Sequence, residues 1–211
     1  MRIFSYIVAR DYGFAPNPFY GYCTLATCKP RIRSAAAAGD WVVGTGAKTR
    51  YDLAGRLIYA MQVSEHMDFD TYWADSRFVA KRPFLGGSLK QAYGDNIYHR
   101  EHGIWIQADS HHSLHDGSPN PANVARDTSS NRVLIGCRFS YFGSAAPRIP
   151  MRLRRFGLRE RDLCCRSQGH QILAEDFAKV LEEWLAARGT WGLVGLPLEF
   201  RSHSRIDRAE L

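Results

Sequence analysis

Apolar residues recur along the chain in two rhythms. Ile3, Phe4, Tyr6, Ile7 and Val8 form a β-rich run near the start, Trp41 to Val43 a second between glycines, and Leu57 to Val63 a third. Branched and aromatic residues at this length predict strands, because such side chains pack well on a pleated, half-buried face. The second and third are expected to pair as an antiparallel hairpin whose long tip carries Lys48, Arg50 and Arg56. Ile104 to Gln107 and Asn131 to Phe142 predict two further strands, and Trp191 to Phe200 a last one.

The other rhythm is helical. Leu173, Phe177, Val180, Leu181, Trp184 and Leu185 fall three or four apart within Gln171 to Arg188, and Gly189 follows as a stop. This spacing predicts an amphipathic helix whose stripe supports the core. Pro30 before the run Arg31 to Ala38, closed by Gly39, predicts a short helix. Asp68 suits the N-cap of another, with Phe69, Tyr72 and Trp73 on one side and Arg77 to Pro83 extended beyond it.

Three stretches break both rhythms. Asp11 to Tyr22 mixes Gly13, Pro16, Pro18 and Gly21 with Tyr12, Phe14, Phe19, Tyr20 and Tyr22. Such an aromatic loop either plugs the end of a barrel or walls a pocket for a flat ligand. Gly86, Gly87 and Gly94 mark a loop through Tyr93 and Asn96 whose spacing matches no phosphate-binding fingerprint. Pro119, Asn120, Pro121 and Asn123 predict an irregular segment.

Composition narrows the class without choosing a function. With 211 residues, 45% hydrophobic and 23% charged, the chain can bury a core and reads as α+β. A net charge of +7 favours an anionic partner, because a basic surface concentrates phosphates and carboxylates. Residues 148 to 166 hold seven arginines against Glu160 and Asp162. They form either a phosphate-facing ridge or stems laid over apolar surface. No apolar run approaches a membrane span and no secretory leader opens the chain, so a cytoplasmic protein with no membrane partner is expected. The odd number of cysteines, five, argues against a closed disulfide framework, and the default for each is a buried inert thiol.

The densest candidate chemistry lies between Gln107 and Gly117. This segment holds His111, His112 and His115 with Asp109, Asp116, Ser110 and Ser113 behind a predicted strand. Histidines so spaced suggest a metal at first sight, but the flanking glycine and prolines and the missing glutamate argue against one, so no metal is expected. The remaining roles are fixing the loop, hydrogen-bonding a ligand, or acid–base catalysis by a histidine that Asp109 or Asp116 positions.

A resemblance adds to this reading. The order of strand, aromatic loop, short helix, Gly39-Asp40-Trp41-Val42-Val43 and Gly55 to Glu65 resembles the PUA-like superfamily, especially its EVE, YTH and ASCH branches. Ala9-Arg10-Asp11-Tyr12-Gly13-Phe14-Ala15-Pro16-Asn17-Pro18, Cys23 to Pro30, Tyr93 to Tyr98 and Asp109 to Ser113 resemble the nucleotide modification associated domain 2 family, over Met1 to about Pro150.

The resemblance implies a small curled PUA-like β-barrel with short flanking helices over residues 1–150, and a nucleotide-modification or defence context. A C-terminal helical extension over 151–200, packed on the same domain, and a polar tail over 201–211 complete the expected organisation. The leading expectation is binding of a nucleotide or modified base, in nucleic acid, without a cofactor. Tyr12, Phe14, Asn17, Tyr20, Tyr22, Trp41, Tyr93, Asn96, Asp109, Ser110, His111 and His112 would form the ligand site, and Arg10, Lys48, Arg50, Arg56, Arg152, Arg154 and Arg155 would meet phosphates. The rival is an enzyme acting on a nucleotide or nucleobase, with His111, His112, His115 and Asp109 carrying the chemistry. The oligomeric state is left open.

Overall fold

A computed structural model describes residues 1–49, 51–165 and 169–202. In chain order the strands are β1 (Ile3–Val8), β2 (Cys23–Leu25), β3 (Trp41–Gly46), β4 (Leu57–Gln62), β5 (Glu65–Met67), β6 (Tyr98–Glu101), β7 (Ile104–Gln107), β8 (Val133–Gly136), β9 (Arg138–Tyr141), β10 (His170–Leu173) and β11 (Gly192–Leu193). The α-helices are α1 (Pro30–Ala35), α2 (Phe69–Ala74), α3 (Leu89–Ala92), α4 (Pro121–Thr128) and α5 (Glu175–Arg188). The class is α+β, as its two hydrophobic rhythms predict.

The chain divides into two compact units, each assembled from three separated stretches. The first contains Met1–Asp11, Ala36–Ser64 and Gly136–Leu198, so the expected boundary at residue 150 falls inside its third stretch. Its sheet has the order β10-β1-β3-β4-β9-β11. β3 and β4 pair antiparallel, as expected of a hairpin, while β1 lies parallel to β3. Among the described residues β10 and β11 each have one neighbour, so the strands do not close into the expected barrel.

The core of this unit is apolar. Ile3, Trp41, Val43, Leu57 and Ala60 pack with Phe177, Leu181, Trp184 and Leu185 of α5, which Gly189 ends in the left-handed conformation at φ 61°. Only a residue without Cβ adopts that conformation at little cost, hence the glycine stop. α5 begins four residues later than its apolar spacing predicts. The preceding His170–Leu173 is claimed by pairing with β1 (Ile3 opposite Leu173), and that sheet edge outweighs local helix preference.

The second unit contains Tyr12–Ala35, Glu65–Ile135 and the chain from Glu199 onward. It holds a small sheet ordered β2-β8-β5 and a separate β6–β7 hairpin. The hairpin turns at His102 and Gly103, with φ 50° and 82°, the positive pair that a tight two-residue turn requires.

Several local expectations are corrected here. Ser76–Lys81 is a 3-10 helix, not an extended run, because Asp75 caps it through Arg77 N–H. The segment expected to be irregular after Pro119 contains α4. Asn120 accepts from the Ala122 and Asn123 N–H groups at 3.1 and 3.2 Å, and Pro121 occupies the first turn, where its missing N–H costs nothing. The single strand expected over Asn131 to Phe142 breaks at Cys137 into β8 and β9, which join different sheets. The last strand shrinks to Gly192–Leu193 followed by a 3-10 turn at Leu198–Arg201. No helix among the described residues is long and apolar enough to cross a membrane. Of the expected tail, 203–211 lies outside the described residues.

Candidate functional site

The second unit brings together three residues distant in sequence. Cys28 stands between β2 and α1, His112 lies in the loop after β7, and Asp127 sits near the end of α4. Cys28 Sγ is 3.7 Å from His112 Nε2, and His112 Nδ1 is 2.8 Å from Asp127 Oδ2. An ionised carboxylate can only accept, so Nδ1 carries a proton and Nε2 faces the thiol. The line thiol, imidazole, carboxylate is the arrangement that activates a nucleophile.

Each member is fixed by its own local chemistry. Cys28 and the following Lys29 both adopt positive φ, 57° and 42°, a conformation that costs L-residues about 1–2 kcal/mol each. The Cys28 N–H donates to Asp127 Oδ1 at 3.0 Å, so the carboxylate holds the Cys28 backbone as well as the imidazole. The His112 carbonyl accepts from Asn123 Nδ2 at 2.9 Å and Gln107 Nε2 at 3.2 Å, while Gln107 Oε1 accepts from Asn120 N–H at 2.7 Å. Thus β7, the loop and α4 are tied at one point. Asp127 also accepts from Tyr98 Oη at 3.1 Å and Arg126 Nε at 3.0 Å.

This surrounding sets the charge states. Burial alone would disfavour imidazolium at His112, but the Asp127 hydrogen bond and the neighbouring Cys28 outweigh it and raise the pKa to about 9. Burial likewise opposes the Asp127 carboxylate, yet His112 and Arg126 together draw its pKa down to about 2. The Tyr98 hydroxyl is pushed upward, first by burial and then by the adjacent Asp127 charge. His112 and Asp127 are buried, whereas Cys28 is only partly so.

Cys28, His112 and Asp127 could also be read as ligands of a metal ion, since one donor atom from each lies within 4.8 Å of the others. The directions argue otherwise. The two ring nitrogens point apart, one toward sulfur and the other toward the carboxylate, so a single ion at Nε2 would meet Cys28 but leave Asp127 behind the ring. The set fits a proton relay better than a metal centre.

The expected site residues are only partly brought together. Tyr12, Phe14 and Tyr93 do meet the histidine loop, with ring centroids 4.5, 5.2 and 5.3 Å from His111, and Phe14 lies 4.6 Å from His112. They are 5% exposed or less, and so form packing around the histidines, not open walls for a base. Asn17 and Asn96 are fully buried, with Asn17 Nδ2 donating to the Tyr93 carbonyl and Asn96 Nδ2 to those of Tyr72 and Phe78. Ser110 is buried and its hydroxyl accepts from the His112 N–H. Tyr20 is exposed, and Tyr22 packs edge-on against Phe78. Trp41 lies fully buried in the core of the first unit, where it has no face to offer a ligand. Asp109 and His115 are exposed, and the carboxylate bonded to His112 is that of Asp127.

The basic residues divide similarly. Lys48 and Arg154 line a cavity of about 340 Å³ in the first unit, together with Asp162 and Cys164, and Arg154 Nε is held by Asp162 at 2.7 Å. Arg56 donates to the Ala146 carbonyl at 2.8 Å. Arg10, Arg152 and Arg155 are exposed, and Arg50 lies outside the described residues.

Sequence leaves Cys28 at the inert-thiol default because it cannot show a base within reach, and it assigns no role to Asp127, Tyr98 or Arg33. The inert-thiol default fits Cys23, which is fully buried with its thiol pushed upward by that burial, but not Cys28 beside its base. The signal available for Asp127 is the Asn120-Pro121 pair, an N-cap followed by a first-turn proline, which marks a helix in the segment expected to be irregular.

Among known proteins, a family model described as nucleotide modification associated domain 2 matches residues 1–204. Neither the curated proteins nor the solved structures contain a match.

Proposed function

The chain belongs to the nucleotide modification associated domain 2 family, and from that premise we propose that it is a thiol-dependent acyl-transfer enzyme of a nucleotide-modification system. One observation carries the reading: Cys28 Sγ stands 3.7 Å from His112 Nε2 while His112 Nδ1 is held by buried Asp127 at 2.8 Å. Cys28 is the nucleophile, His112 the proton carrier and Asp127 the group that orients and stabilises the imidazolium.

The steps balance with these residues alone. The Cys28 sulfur bonds to the carbonyl carbon of an amide or ester as its proton passes to Nε2 of the neutral His112 imidazole, the form whose share grows as pH rises toward about 9. The bond from carbonyl carbon to nitrogen or oxygen then breaks, and the leaving amine or alcohol takes that proton from Nε2. Water, or an amine or hydroxyl of a nucleotide, attacks the thioester and loses its proton to Nε2, and the released thiolate recovers it. The product is an acid when water attacks and an acylated nucleotide when the nucleotide does.

An anionic substrate suits the surroundings. Arg126 is half-exposed beside Asp127, and Arg31 is exposed on α1.

The test is a pulse of the purified protein with p-nitrophenyl acetate, followed by intact-mass and peptide mapping, and then with N-acetylcytidine in an oligonucleotide. The expected result is a burst of nitrophenol with acetyl on Cys28, lost in Cys28→Ser and in His112→Gln. Equal, Cys28-independent acylation in both variants would overturn the reading.

A further inference from the structure

Arg33 is fully buried, yet among the described residues no carboxylate forms an ion pair with it. Its fork points instead at main-chain carbonyls. Nε donates to the Cys28 carbonyl at 2.8 Å, Nη1 to those of Ser130 and Arg132 at 2.8 and 2.6 Å, and Nη2 to that of Asp127. Phe69 closes the guanidinium face, its ring centroid 5.4 Å away. Burial draws the Arg33 pKa down to about 10, against the pull of Asp127 and Cys28, so the cation is kept at a cost in free energy.

Two of those four carbonyls belong to members of the relay. Cys28 is held at both ends of its own peptide units, its N–H by Asp127 and its carbonyl by Arg33, in the left-handed conformation that costs it most to adopt. A single rigid fork therefore spans the nucleophile and the residue that orients the base. Lysine supplies the charge but not five donors in one plane.

We propose that Arg33 is the positioning residue of the thiol relay: it fixes Cys28 in its left-handed turn and sets the separation of Cys28 from Asp127, and hence the approach of sulfur to His112. This rests on the acyl-transfer reading above. Arg33 does not touch the substrate.

The experiment measures acylation by p-nitrophenyl acetate in Arg33→Lys and Arg33→Ala, at a temperature well below the melting point of each. In Arg33→Lys the limiting acylation rate is expected to fall about 10²-fold, the cost of displacing a reacting group by about 1 Å, with the half-saturating ester concentration unchanged. In Arg33→Ala, added guanidinium should restore part of the rate and methylammonium should not, because only the planar cation reproduces the fork. Should Arg33→Lys fail to fold, Arg33→Gln is measured in its place. A folded Arg33→Lys with wild-type rate and a lowered melting point would overturn the proposal while leaving the relay intact. Undiminished acylation in Cys28→Ser would overturn both.

Discussion

Two buried charged clusters sit in the second unit, and they are built for different ends. In one, Lys81 Nζ donates to the Asn17 carbonyl at 3.0 Å, Asn17 Oδ1 at 2.6 Å and the Tyr22 carbonyl at 3.1 Å, while Asp95 accepts from Thr24 at 2.7 Å and Tyr72 at 2.8 Å. Lys81, Asp95, Thr24, Asn17 and Tyr72 all have no exposure. In the other, Asp127 and His112 are as deeply placed, but the line ends at Cys28, which remains partly accessible. The first cluster is closed at every end and pins the aromatic loop by its main chain. The second is buried at Asp127 and His112 and ends at a residue that is only partly buried. Burial of charge is therefore common to both clusters, and the partial exposure of Cys28 is what separates them.

Charge states follow the same division. Burial pulls Lys81 down to about 8 and pushes Asp95 up, each toward its neutral form, because their mutual attraction does not offset desolvation. His112 and Asp127 move the opposite way, each toward its charged form, because direct hydrogen bonds outweigh burial. A closed network can relax to neutrality, whereas the relay stays charged and poised.

The sharpest test of the contrast is Cys28→Ala. Acyl transfer should drop by on the order of 10³-fold or more, with little change in melting temperature, measured by nitrophenol release and calorimetry. A large loss of stability with activity retained would make the relay merely structural. Next in size, Lys81→Met should cost about 3–5 kcal/mol in a urea melt, as expected when one member of a buried polar set is removed, with the rate per folded molecule unchanged. A neutral outcome would mean that Asp95 is already protonated and the cluster holds without its cation.

The pH dependence of stability separates the clusters by sign. Between about 6.5 and 9 folded His112 holds a proton that the unfolded chain lacks, so its contribution, complete below 6.5, is lost as pH rises through about 9. Between about 8 and 10.5 the unfolded chain holds the Lys81 proton that the folded one lacks, so stability from this group rises with pH. The Asp127 contribution is present above about 3.8 and is lost as pH falls through about 2. Urea midpoints from pH 6 to 10 should fall and then recover, with the fall absent in His112→Gln and the recovery absent in Lys81→Met. Smallest of all, His115→Ala should change stability by less than about 0.5 kcal/mol and leave acylation unchanged, since the side chain is exposed. A loss of acylation there would return the chemistry to the exposed part of the histidine loop.

Where one rhythm dominated a segment, the element was legible. The hairpin of β3 and β4 and the body of α5 follow from runs whose side chains must reach one face, and Gly189 marks the helix end because of its conformational freedom. The density of polar residues behind a strand made the histidine loop legible as a candidate, and the structure packs its His111 and His112 against Tyr12 and Phe14. What the aromatics do there was not legible, since a ring that packs a histidine and a ring that stacks a base have the same composition.

Sequence alone determined the α+β class, the family likeness, the basic character and the candidacy of His112, because each depends on residue type and local spacing. Only tertiary structure decided which cysteine and which carboxylate meet that histidine. Cys28 and Asp127 lie 84 and 15 residues from His112, and no periodicity encodes a hydrogen bond across such distances. Their meeting is set by where α1, the β7 loop and α4 pack, and that packing is a property of the whole unit.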